Sequence, residues 1–143
     1  MTVRDIMTEN PACCTPDSNL QEVAKMMLDN DCGAIPVCED MNNGKPLGVI
    51  TDRDITVRTV AKGENPLEMT AESVMTKNVV TVTPETSVSE CVGLMEENQL
   101  RRILVVDNDG KCVGMVAQAD IAVKTENEAE DMVEEVSKAS ANN

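Results

Sequence analysis

The 143-residue sequence contains no phenylalanine, tyrosine or tryptophan, and no histidine. A core must therefore be filled by Val, Ile, Leu, Met, Ala and Cys, and ten methionines suit that gap-filling use. Basic residues are scarce, 12 Lys plus Arg against 26 Asp plus Glu, for a formal charge of −14. This balance opposes non-specific binding to nucleic acid, whose affinity rests on cations neutralising phosphates. No run approaches the ~20 apolar residues that a membrane span requires. The opening "MTVRDIMTEN" also lacks the apolar centre of a signal peptide. A cytoplasmic protein is expected, with neither nucleic acid nor membrane among its partners.

Catalytic signatures are missing as well. The chain has no G-x-S-x-G, no G-x-x-x-x-G-K-[ST] and no pair of carboxylates spaced for acid–base work. An enzyme is not expected, nor a catalytic cofactor. The six cysteines (13, 14, 32, 38, 91 and 112) lack C-x-x-C spacing and have no histidine partners, so no metal site is expected. Cys13 and Cys14 are adjacent in a predicted strand and should point to opposite faces as buried apolar side chains. A redox role for this pair is the second reading.

What is present is a repeat. At an offset of 68, "IMTENPACCTP" from Ile6 lies over "VMTKNVVTVTP" from Val74, with Met, Thr, Asn, Thr and Pro matched. Leu20, Val23, Ala24 and Met27 recur at helical spacing, as do Val88, Cys91, Val92 and Met95. Ser18-x-x-Gln21 and Ser87-x-x-Glu90 read as capping boxes. Paired apolar runs follow, joined through Asn-Gly in the first copy and Asp-Gly in the second, the signals of hairpin turns. "GVITDRDI" (48–55) and "GMVAQADI" (114–121) then close the strands and open further helices, the first of them ending at Gly63.

Each copy thus predicts strand, helix, strand, strand, helix, over 1–63 and 71–124, with 64–70 as the linker. A unit of about 60 residues buries too little apolar surface to stand comfortably alone. Two copies packed sheet to sheet with pseudo-twofold symmetry resolve this and leave clefts between them. In the acidic segment 125–143, which carries six acids and one Lys, Ala129, Met132, Val133 and Val136 predict a short helix.

Thr51-x-x-Asp54 has a structural reading as a capping box, whereas Ala117 with Asp120 fits that reading less well. The chemical reading is that a carboxylate grips two vicinal hydroxyls, as of ribose. A glycine three residues before Thr51 would admit a ligand close to the backbone. The hydroxyl and free N–H groups at a helix start suit phosphate.

The "DIMT" and "SVMT" openings, "GAIPV" with "GKPLGVITDRDI", and "RRILVVDNDGKCVGMVAQADI" together resemble a tandem cystathionine-β-synthase (CBS) domain pair, the Bateman module, over residues 3–124. The resemblance implies an α+β fold of two CBS domains. It also implies a non-catalytic regulatory module that binds an adenosine-containing ligand in the clefts and signals through a homodimer or a regulated partner protein. AMP, ADP or ATP is the implied ligand, with NADH or S-adenosylmethionine behind them. Carried onto this chain, Asp54 and Asp120 would hold ribose, and Thr51, Arg53, Arg101 and Arg102 would meet phosphate. Ala12, Cys32, Val80, Leu100, Val49 and Met115 would line the adenine pockets. The chain departs from the family pattern at Ala117, which has no hydroxyl, and at Gly33 and Ala34, which stand where the second copy has Arg101 and Arg102. The Arg pair is expected at the phosphate end of the Asp120 cleft, which therefore ranks first. The alternative function is a ligand-free interaction scaffold, redox-linked through Cys13 and Cys14.

Overall fold

Helices α1 (Leu20–Asn30) and α4 (Val88–Glu97) form where apolar residues recur at helical spacing. They bury that stripe, through Leu20, Val23 and Met27 in α1 and through Cys91 and Met95 in α4. The Ser87 hydroxyl caps α4 by accepting from the Glu90 N–H. In the first copy the expected cap is displaced by one residue. Asn19 is the N-cap of α1 and accepts from the Gln21 N–H, while Ser18 Oγ turns back to the Thr15 N–H. Asn19 satisfies a helix-end donor as well as serine would, and the Thr15–Ser18 turn claims the serine.

The computed structural model describes residues 1–42, 44–77 and 79–123. The helix expected around Ala129–Val136 lies outside the described residues. Strands β1 (Thr8–Glu9), β4 (Thr81–Val82), β5 (Arg102–Val106) and β6 (Cys112–Ala117) form one sheet in the order β1-β6-β5-β4. Strands β2 (Ala34–Cys38) and β3 (Pro46–Thr51) form an antiparallel pair. That pair is extended on one side by a parallel bridge from Cys14 to Val37 and on the other by an antiparallel bridge from Thr76 to Val49. Both expected hairpins are present, with Gly110 turning the second in the left-handed region (φ 80°). The first copy closes with α2 (Asp52–Arg58) and a short 3-10 turn, Val60–Lys62, that ends on left-handed Gly63. In the second copy residues 118–123 are helical.

The sequence begins each copy with its own opening segment, but the structure exchanges them. Val3 and Ile6 pack into the second copy's core with Val82, Cys91, Ile103, Val105 and Val116. Ala71, Val74 and Met75, in and just after α3 (Ala71–Val74), pack into the first copy's core with Leu20, Val23, Ile35 and Ile50. Strand β1 correspondingly pairs with β6, and Thr76 with β3. The repeated glycines explain the fit. A Cβ on Gly48 would lie 2.6 Å from the Thr76 carbonyl oxygen and 2.9 Å from Met75 Sδ. One on Gly114 would lie 2.7 Å from Met7 Sδ and 3.2 Å from the Thr8 carbonyl oxygen. The Met-Thr of each opening therefore sits on the glycine of the other copy. Both glycines admit the neighbouring segment, and at Gly48 that segment fills the space that the sequence reading assigned to a ligand.

A third cluster of Cys13, Cys38, Leu104 and Cys112 lies where the two copies meet. Cys13 and Cys14 do point to opposite sides, Cys14 entering the first copy's own core. Both are buried, so neither offers a thiol to a partner. Burial pushes the Cys14 thiol up to about 12, and a hydrogen bond with Cys112 together with burial also raises Cys38.

Two outcomes follow for the thiols. Under native conditions a thiol reagent should modify one cysteine quickly, Cys32, the exposed one, and reach the others only on unfolding. A thiol kept protonated by the fold has no effect on stability below its unfolded pKa near 9.0 and destabilises the fold above it. Stability should thus fall from that pH upward, by about 1.4 kcal/mol per pH unit for a single such thiol. Cys14→Val, which copies Val82 at the equivalent place, should flatten this slope in denaturant unfolding measured across alkaline pH. An unchanged slope would assign the loss to other groups. Among the described residues, no helix is long and apolar enough to cross a membrane.

Candidate functional site

Two clefts lie side by side between the copies, and each is built by the same rule. A strand-to-helix turn from one copy faces the helix-to-strand turn of the other. The first cleft, about 790 Å³, sets Val49, Thr51, Arg53 and Asp54 opposite Gln99, Leu100, Arg101 and Arg102, with Thr76 on its wall. The second, about 410 Å³, sets Met115, Ala117 and Asp120 opposite Asn30, Asp31, Cys32, Gly33 and Ala34, with Thr8 to Ala12 beside them. Both volumes lie within the range of small-molecule sites.

The two aspartates begin their helices alike. Asp54 Oδ2 accepts from the Thr51 N–H at 3.0 Å and the Asp54 N–H donates to Thr51 Oγ1 at 3.1 Å, a complete capping box. Asp120 Oδ2 accepts from the Ala117 N–H at 3.2 Å. This is the half of the box that needs no hydroxyl, so the fold has a use for Asp120 even with alanine at 117. In each carboxylate one oxygen is engaged with backbone. The other oxygen of Asp54 stands 3.9 Å from Arg58 Nε.

The residues expected from sequence are divided between the clefts as follows. Asp54, Thr51, Arg53, Val49, Leu100 and Arg101 line the first, Asp120, Ala12, Cys32 and Met115 line the second, and Arg102 lines both. Arg101, expected beside Arg102 in the Asp120 cleft, belongs to the Asp54 cleft instead. It directly follows the α4–β5 turn that faces Asp54, and its carbonyl accepts from the Gln118 N–H at 2.8 Å. Val80 lines neither cleft, because it packs partly buried against the second copy's core.

Sequence reasoning missed a further group. Asn10, Asp31 and Gln99 are the non-glycine residues with positive φ (47°, 48° and 54°) among those described, and all three line clefts. Asp31 and Gln99 are equivalent at the offset of 68, each directly beyond or near the end of its helix. An Asx-type residue in a left-handed C-cap is the available sequence signal for Asp31, and a glutamine sends no such signal. Backbone held in this region costs about 1–3 kcal/mol and gathers at binding sites. Among the described residues, no group of three or more Cys, Asp or Glu could hold a metal ion.

A family profile for the CBS domain matches residues 3–58 and 71–124. The chain is 36% identical over 121 residues to hypoxic response protein 1 of Mycobacterium tuberculosis, covering 85% of this chain and 82% of that one. The crystal structure of that protein, determined with two coordinated zinc ions, superposes with a TM-score of 0.74 at 35% identity, over 85% of this chain and 97% of that chain. The CBS domain pair of protein MJ0100, in complex with 5′-methylthioadenosine and S-adenosyl-L-methionine, superposes with a TM-score of 0.79 at 26% identity, over 90% of this chain and 98% of that one. The uncharacterized protein MK0525 of Methanopyrus kandleri is 33% identical over 118 residues, 82% of this chain, but the match spans only 57% of its length. Two profile matches in tandem, on a fold shared with solved domain pairs, place the chain in the CBS-domain family as a tandem CBS pair.

Proposed function

We propose that this CBS pair is a non-catalytic sensor that binds an adenosine-containing ligand in the clefts between its copies and transmits occupancy through a homodimer or a partner protein. One observation carries the reading. Both clefts oppose an aspartate-bearing helix start from one copy to a left-handed helix end from the other, so strained backbone and a carboxylate converge twice on a space of nucleoside size. The adenosine derivatives bound by the CBS pair of MJ0100 support the ligand class. AMP, ADP and ATP lead, since Thr51, Arg53, Arg101 and Arg102 supply phosphate donors. Val57, Val60 and Leu67, exposed at 43%, 61% and 58% in α2 and the turns after it, offer apolar surface for a second copy.

A ligand-free scaffold is the second reading, favoured by the engagement of both aspartates in helix starts. The two readings part on one titration. Because the protein has no aromatic side chain, the adenine absorption band reports bound ligand directly after gel filtration. Calorimetry with AMP, ADP and ATP should show binding, and Asp54→Ala combined with Asp120→Ala should weaken it at least tenfold. Absence of heat with every adenosine derivative would leave the scaffold.

A further inference from the structure

The two clefts share a plan but not a charge. The Asp54 cleft carries three guanidinium groups, Arg53, Arg101 and Arg102, against the carboxylates of Asp52 and Asp54, and it has the Thr51 hydroxyl. The Asp120 cleft carries Glu9, Asp31 and Asp120 against Arg102 alone, and Ala117 stands where the hydroxyl would be. The asymmetry originates at the pair of positions where the repeat breaks, Gly33 and Ala34 against Arg101 and Arg102. The missing side chain at Gly33 also makes room for Arg102. A Cβ there would lie 2.9 Å from Arg102 Nη2 and 3.1 Å from Asp52 Oδ2. The guanidinium that could neutralise a phosphate in the Asp120 cleft is thus seated at the wall between the clefts, close to a carboxylate of the other one.

We infer that the clefts select by charge. The Asp54 cleft takes the phosphorylated adenosine ligand, and the Asp120 cleft takes an adenosine derivative without a phosphate. The inference rests on the proposal that the clefts bind adenosine-containing ligands at all. Its physical cause is the sign of the lining. A nucleoside phosphate entering the Asp120 cleft brings negative charge toward three carboxylates with one shared cation, whereas in the Asp54 cleft it meets an excess of arginine. Because Arg102 borders both spaces, a phosphate that draws it into the Asp54 cleft leaves the Asp120 cleft more acidic still.

Cys32 makes the assignment measurable, since it is exposed and lines the Asp120 cleft. Iodoacetamide, which is uncharged, can report occupancy of that cleft on the whole protein, with AMP and adenosine as ligands and calorimetry alongside. The expected result is one AMP per chain, with Cys32 labelling unslowed at saturating AMP, and protection of Cys32 by adenosine. AMP affinity should fall with added salt while adenosine protection does not. Arg101→Gln should weaken AMP about tenfold or more and leave adenosine protection intact. If AMP binds two sites per chain equally, if it protects Cys32 at the concentration that saturates it, or if adenosine leaves Cys32 unprotected while AMP binds, selection by charge is overturned and the sensor reading stands. If neither AMP nor adenosine binds, the inference falls, and if ADP and ATP give no heat either, the sensor reading falls with it. The salt dependence of the unmodified protein keeps the test decisive should Arg101→Gln not fold.

Discussion

Gly48→Val should cost about 3 kcal/mol of folding stability, at the upper end of what overpacking a close contact does. Gly48 is buried, and its missing side chain is the space in which the Thr76 carbonyl and the Met75 thioether lie. The Thr76 carbonyl is not free to retreat. It accepts from the Val49 N–H at 3.1 Å, and the Thr76 N–H returns a bond to the Val49 carbonyl at 3.0 Å. Any side chain at position 48 must break that bridge or move β3. Gly114→Val should cost less, about 1–2 kcal/mol, because its nearest neighbour is the flexible end of Met7 and the Thr8 carbonyl stands farther off. Gly93→Ala is the comparison. It meets nothing within 4 Å in α4 and should gain a few tenths to ~1 kcal/mol from helix propensity. Denaturant midpoints of the three variants, at unchanged m-value, measure this order. A Gly48→Val protein as stable as Gly93→Ala would show that the exchanged opening segment does not pack on the glycine.

Arg58→Met should cost about 2 kcal/mol and should not be rescued by lysine. The Arg58 guanidinium donates to the carbonyls of Val74 at 2.8 Å and Met75 at 3.1 Å and to Thr76 Oγ1 at 3.4 Å. It therefore closes the end of α3 and holds the exchanged segment against α2. Methionine keeps the apolar stem and removes the donors, leaving helix-end carbonyls without their charge-assisted partner. Lysine restores the charge but not the planar fork that reaches three acceptors at once. The ion pair with Asp54 adds little, being 3.9 Å long with the arginine side chain 41% exposed. Because Thr76 and Asp54 both line the first cleft, the loss should also weaken ligand there while leaving Cys32 protection in the second unchanged. Equal stability of Arg58→Met and Arg58→Lys, both near the parent, would assign Arg58 to the surface.

The helices were legible because their apolar residues recur at 3.6-residue spacing, and the hairpins because Asn-Gly and Asp-Gly between apolar runs are strong turn signals. The glycine and Met-Thr motifs were legible as repeats, but their meaning was not. Glycine permits close approach and does not state by what, and here the neighbour is the chain itself. The arginine pair failed for a related reason. Successive residues at the start of a strand point to different sides, so of the adjacent Arg101 and Arg102 only Arg102 reaches the Asp120 cleft, while both line the Asp54 cleft. Asp120 retains a role beside Ala117 through a backbone bond that no side-chain pattern displays.

By itself, then, the sequence determined that there are two copies of one unit, the main helices and hairpins of each, and which turns carry the acids, but not α3 or the 3-10 turns. These depend on local spacing, which each copy writes out in full. Which opening segment joins which core, and which charge faces which cleft, were decided only in three dimensions. Two copies of one plan offer similar apolar partners to each segment, so local chemistry does not choose between them. The choice is made by how the connections run and how the two sheets meet.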